Sequence, residues 1–205
     1  MALSKRNNRR GYAAQCLVAA GLSLTASSAL AHTGGNVNGL AAGLMHPISG
    51  LDHIIAMVAV GLWGGVLGSE AVWVLPITFP LIMAFGGVLG VLGVPVPGIE
   101  FGIAVSGIVL GLMILLTVRV PLWVATVMVG VFAIFHGYAH GAELPRSVDP
   151  VVFAVGFVVA TGFLHLMGIA IGLVVRWHWG KIAVRLVGLV ISALGFGFLS
   201  GMIVA

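Results

Sequence analysis

Charge is nearly absent from this sequence. Only 7% of its 205 residues are charged, against roughly a quarter in an ordinary globular chain. Hydrophobic residues make up 60% and the mean hydropathy is +1.22. Such a chain cannot present a soluble surface, so it reads as an integral membrane protein, with length for one compact helical domain and no polar linker to a second. Cysteine is equally scarce. The single one, Cys16, falls in a leader expected to be removed, and a mature chain without cysteine excludes disulfides, thiolate catalysis and soft sulfur metal sites. No phosphate-binding P-loop is present, and there is no soluble domain to hold one, which excludes direct coupling to ATP. Excess positive charge is also missing from most of the chain. The formal net charge of +4 arises from Lys5, Arg6, Arg9 and Arg10. From His32 onward five basic residues (Arg119, Arg146, Arg176, Lys181, Arg185) face five acidic ones (Asp52, Glu70, Glu100, Glu143, Asp149). This balance excludes the nucleic-acid partner that a pI of about 10.0 would suggest.

What is present begins with an export signal. A basic start, an apolar run around Leu17 to Leu24 and the small-residue ending Ala29-Leu30-Ala31 predict a cleaved signal peptide over residues 1–31. An uncleaved first transmembrane helix is the alternative, although the run is short of the roughly 20 residues needed to span. The remainder, 32–205, divides at Gly68-Ser69-Glu70, Pro95-Val96-Pro97, Arg119 to Pro121, Pro145 to Pro150 and Trp177 to Lys181. Six apolar segments result: Gly39 to Leu67, Ala71 to Gly93, Ile99 to Val118, Val120 to Ala142, Val151 to Val175 and Lys181 to Val204. The expected fold is therefore an all-α bundle of six transmembrane helices in contact with membrane lipid. With the mature N-terminus outside, Arg119, Arg176, Lys181 and Arg185 all fall on the inner side and only Arg146 outside. That distribution obeys the positive-inside rule and puts both termini of the mature chain in the periplasm of an inner-membrane protein. Glycines four apart (Gly61 and Gly65, Gly86 and Gly90, Gly107 and Gly111, Gly168 and Gly172, Gly197 and Gly201) predict close helix packing.

Titratable groups are costly within a membrane and point to function when they cluster there. Two stretches carry most of them: LMHPISGLDHIIAMVAVG, with His46, Asp52 and His53, and FHGYAHGAE, with His136, His140 and Glu143. In a helix His136, His140 and Glu143 share one face, so the two imidazoles make a natural chelate and Glu143 adds an oxygen or orients a ring. His46 and His53 also share a face, but about 10 Å apart on a regular helix. Either Pro47 and Gly50 break that helix and fold His46 toward His53, or the two belong to successive sites. His165 falls nearer the midplane. Imidazole with carboxylate and no thiolate suits Ni²⁺, Co²⁺ or Zn²⁺. Cleavage after Ala31 would leave His32 first, where its amine and imidazole chelate a divalent ion together. Glu70, Glu100 and Asp149 read as wet helix ends.

His46-Pro47-x-x-Gly50-x-Asp52-His53 resembles the signature of the HupE/UreJ family of bacterial nickel/cobalt permeases. Phe135-His136-Gly137-x-Ala139-His140-Gly141-x-Glu143 and Thr161-x-x-Leu164-His165-x-x-Gly168 are similar to its second and third motifs. The resemblance covers nearly the whole chain. It implies secondary or facilitated uptake of Ni²⁺ or Co²⁺ across a Gram-negative inner membrane, commonly for hydrogenase or urease maturation, with no enzymatic step and no prosthetic group. The metal-handling set is then His32, His46, Asp52, His53, His136, His140, Glu143 and His165. Two other readings stay open: an intramembrane zinc-dependent hydrolase, in which a metal-bound water reacts, and a metal-binding membrane subunit that transports nothing.

Overall fold

The computed structural model describes residues 35–144 and 147–201. The expected signal peptide and His32 lie outside the described residues, as does Arg146. Seven α-helices and no strand occur among the described residues: α1 (Gly35–Ser49), α2 (Leu51–Leu67), α3 (Ala71–Val91), α4 (Ile99–Leu115), α5 (Leu122–Ala142), α6 (Pro150–Leu173) and α7 (His178–Leu199). A 3₁₀ turn, Val174–Arg176, joins the last two.

The first apolar segment differs from the continuous helix its composition suggests. It is broken at Gly50, and α1 and α2 meet at 81°. Two residues explain the break. Pro47 in the last turn of α1 has no N–H to give to the carbonyl four residues earlier, and Gly50 leaves helical geometry altogether, with φ −102° and ψ 127°. Four helices, α3, α5, α6 and α7, are long and apolar enough to cross a membrane, and the bent pair makes a fifth crossing if it is counted as one. At 17 residues, α4 spans about 26 Å, somewhat less than a ~30 Å hydrocarbon core. This set of apolar helices suits a multi-pass membrane protein.

The bundle is organised around α2. Every residue from Ala59 to Val66 is buried, as expected of a helix apolar on all sides. Against it pack α6, α4 and α3, while α3 pairs closely with α5, α4 with α7, and α1 with α6. Small residues permit these approaches. A Cβ on Gly61 would come 2.1 Å from the carbonyl oxygen of His165, and one on Gly168 would come 2.2 Å from that of Val58, so α2 and α6 meet backbone to backbone. The Gly197 and Gly201 pair does not contribute in this way, because Gly201 lies past the end of α7 with φ +69° and open space around it.

The two ends of the bundle differ in chemistry. At one end Arg185 donates from Nε to the Leu115 carbonyl (2.9 Å), Trp63 donates from Nε1 to the Val118 carbonyl (3.3 Å), and Glu70 and Arg119 line one small recess. Exposed Trp73, Trp123, Trp177 and Trp179 stand at the helix ends there, where tryptophans gather at a membrane–water boundary. The opposite end carries the histidine stretches. Asp149 caps α6 on that side, its Oδ1 accepting from the amides of Val151 (2.9 Å) and Val152 (3.0 Å).

Candidate metal site

Three helices bring three imidazoles together. His46 comes from α1, His53 from the first turn of α2 and His140 from the last turn of α5, and one ring nitrogen of each lies within 4.8 Å of the others. Ring centroids are separated by 4.8 Å for His46 and His140, 4.4 Å for His53 and His140, and 5.9 Å for His46 and His53. His46 Nε2 and His140 Nδ1 are 2.9 Å apart. The break at Gly50 makes this possible, since it removes the separation a straight helix would impose. Glycine is also the residue the site needs there: a Cβ at position 50 would stand 2.6 Å from Asp52 Oδ1 and 2.9 Å from His53 Nδ1.

Asp52 is buried, with Oδ1 2.6 Å from His53 Nδ1. The contact is close but poorly aligned for a hydrogen bond, and neither atom has another partner among the described residues. It orients the His53 ring and leaves Nε2 as that ring's other donor atom. His140 Nε2 is buried without a partner among the described residues. Phe153 and Phe157 flank the cluster, 5.5 Å from His46 and 4.5 Å from His140 respectively, and limit the directions from which water reaches it. Ligand nitrogens about 2.1 Å from a transition metal lie closer together than the outer limit seen among these rings. Side-chain rotations of about an ångström would close the cluster on an ion.

His136 departs from the chelate that its spacing from His140 suggests. Its Nδ1 faces the Phe132 carbonyl at 2.9 Å, which leaves Nε2 as the free nitrogen, and its ring is 6.1 Å from His53. The helical pair is thus divided: His140 joins His46 and His53, while His136 sits beside them. His165, in α6, is outside the cluster and buried. Glu143, just past the end of α5, lines a cavity of about 930 Å³ that opens beside the cluster and is also lined by His46, Asp52, His53, Glu100 and Tyr138. Glu100 was not among the residues singled out from the motifs. It lies in the first turn of α4, and placing that turn at the same bundle end as Glu143 is the signal that finds it. Among the described residues no lysine or arginine lines this cavity, so the electrostatics of that lining favour a cation.

The sequence profile of the HupE / UreJ protein family matches residues 20–198. The chain belongs to the HupE/UreJ family. It is similar to Protein HupE of Rhizobium leguminosarum bv. viciae, with 43% identity over 175 residues, 85% of this chain and 92% of that protein. No solved structure matches the chain significantly. In this HupE/UreJ chain both motif stretches end at the same cavity, and the described histidines of those stretches, His46, His53, His136 and His140, stand in consecutive ring contact.

Proposed function

We propose that this HupE/UreJ protein carries Ni²⁺ or Co²⁺ across the inner membrane into the cytoplasm. The observation that carries the reading is the cluster of His46, His53 and His140, three imidazoles at the base of a cavity whose charged lining, among the described residues, is Asp52, Glu100 and Glu143. The ion arrives hydrated. Carboxylates at the mouth raise its local concentration, and the imidazoles replace part of its water with nitrogen ligands. The route is secondary or facilitated, and each station binds strongly enough to desolvate the ion yet weakly enough to release it. His32, as the first residue of a mature chain, adds an early capture point. His136 and His165 continue the path inward, and Glu143 completes the metal-handling set.

In this reading the chain has six crossings, with α1 and α2 counted as one and α4 as a short one. The cavity end faces the periplasm, as do both termini, and the Arg119, Arg176, Lys181 and Arg185 end faces the cytoplasm. The delivered metal supplies hydrogenase or urease maturation. A serine nucleophile finds less support. Ser49 Oγ donates to the His46 carbonyl (2.8 Å) and Ser106 Oγ to the Ile103 carbonyl (2.6 Å), so each serine is tied to its own helix rather than to an imidazole.

Uptake of Ni²⁺ and Co²⁺ into proteoliposomes of the purified chain tests the proposal. Saturable flux, abolished in His53→Ala and His140→Ala, is expected. Tight binding without flux would refute transport and leave the zinc-dependent hydrolase or the metal-binding subunit.

A further inference from the structure

Buried polar atoms without a protein partner continue below the histidine cluster. His136 Nε2, Thr161 Oγ1 and both ring nitrogens of His165 have none among the described residues, and the three residues are 0%, 0% and 2% exposed. Such atoms are rare in native interiors, and each calls for an explanation beyond packing. His165 and Thr161 are four residues apart on α6, so they lie on one helix face. The backbone of His165 is pressed against Gly61 of α2. Gly61 lies two turns past His53, which puts this level roughly 12 Å deeper at 1.5 Å per residue.

The facing helix supplies a further oxygen. In α3, Pro80 has no N–H, so the carbonyl of Pro76 lacks the donor that an uninterrupted helix would give it. Pro76 lies one turn before Phe79 on the same face of α3, and the Phe79 ring is 5.7 Å from that of His165, which puts the freed carbonyl on the side of α3 that faces His165. Between this group and the outer cluster stands Phe79, fully buried, its ring 5.6 Å from His136 and 5.7 Å from His165 and steeply inclined to both. His136 in turn lies 6.1 Å from His53. The order inward is therefore cluster, His136, Phe79, His165. The phenyl ring makes the two imidazole levels separate places rather than one site.

We propose that His165, Thr161 and the Pro76 carbonyl form a second, inner station for the divalent cation, distinct from the His46, His53 and His140 cluster. The inference rests on the permease reading and deepens it. The station's chemistry differs from that of the outer one: a single imidazole with two neutral oxygens, and no carboxylate, makes a weaker nitrogen-and-oxygen set for a borderline ion. Helix-interrupting residues that free carbonyls at depth are a recurrent way to build such a station. A weaker inner station also meets the requirement that an ion taken up at the outer cluster can leave it.

Equilibrium dialysis of Co²⁺ against the untagged full-length chain in detergent counts the stations. All samples carry His32→Ala, so that an N-terminal chelate is not counted. Two ions per chain are expected for this background, one when His165→Ala is added, and one when His53→Ala is added. Thr161→Val keeps the side-chain shape and is expected to weaken the second ion about tenfold while leaving the first unchanged, which covers the case of His165→Ala failing to fold. One ion in the background, two ions retained in His165→Ala, or both ions weakened together in Thr161→Val would each overturn the inner station. The two readings fail separately. Absence of Co²⁺ flux in proteoliposomes with two ions still bound refutes the permease alone, whereas flux with a single bound ion refutes the inner station alone.

Discussion

Replacing Gly50 by alanine separates the site from the fold. The backbone at Gly50, φ −102° and ψ 127°, is extended geometry that any residue adopts, so alanine brings no strain there. The new Cβ, however, would stand 2.6 Å from Asp52 Oδ1 and 2.9 Å from His53 Nδ1, which forces both side chains to withdraw by roughly half an ångström. Displacing a group that orients a metal ligand costs about 10- to 100-fold in metal affinity, equivalent to about 1.4–2.7 kcal/mol. Folding stability should change little, since the about 0.4–1 kcal/mol that alanine adds through the unfolded chain offsets the cost of moving the Asp52 and His53 side chains. Titration calorimetry with Ni²⁺ and a thermal scan on the same detergent sample read both quantities. Affinity within twofold of wild type would refute the claim that Gly50 makes room for the Asp52 and His53 pair. Gly68→Ala is the opposite case. Gly68 has φ 72° and ψ −165°, a region almost restricted to glycine, and a Cβ there meets nothing within 4 Å. It should cost about 1–3 kcal/mol of stability and leave Ni²⁺ affinity unchanged.

Asp52→Asn keeps the shape of the side chain and removes the charge held 2.6 Å from His53 Nδ1; Ni²⁺ uptake should fall about tenfold or more with folded yield retained, and unchanged uptake would remove Asp52 as an orienting group. Gly61→Ala drives a Cβ to 2.1 Å from the His165 backbone oxygen; α2 and α6 must separate, at about 1–3 kcal/mol, and an unfolding midpoint equal to wild type would refute the backbone contact. Saturating Ni²⁺ should raise the midpoint, by about 2.7 kcal/mol of added stability at a hundredfold excess over Kd. The same addition should shift the His140→Ala protein less than wild type, because the outer cluster is lost.

Helix existence was legible in the sequence because long apolar runs bounded by Gly, Pro and charge leave few alternatives. The starts at Ala71 and Ile99 and the ends at Leu67 and Ala142 match the segments read from composition. The break at Gly50 was legible only as an option, because Pro47 and Gly50 permit a bend without specifying its angle. The partition of His136 and His140 could not be read. Helical spacing places both on one face; the Phe132 carbonyl that His136 Nδ1 faces is one turn back on the same helix, whereas the approach of His46 to His140 depends on tertiary placement. Glu100 was read as a wet helix end, and it is exposed; its position on the cavity follows from the packing of α4, which no local pattern records. The glycine spacing pointed correctly to α2 and α6. It failed at Gly201 because that residue lies past the helix.

On the permease reading, the charge distribution sets selectivity and orientation rather than the direction of flow. Glu100 and Glu143 line a cavity walled by apolar helices, and low-dielectric walls focus the field of such groups onto an arriving cation. Arg119, Arg176, Lys181 and Arg185 belong to the opposite end, with the exposed tryptophans. None of those cations lines the cavity, and in the proposed orientation they mark the end that stays in the cytoplasm. A static field of this kind lowers the entry barrier equally for ions arriving and ions returning through the same mouth. Net movement inward must therefore come from consumption of the ion on the cytoplasmic side or from a coupled gradient. An ion already bound to cytoplasmic acceptors cannot return, and that sink gives direction to a passage with no other source of energy.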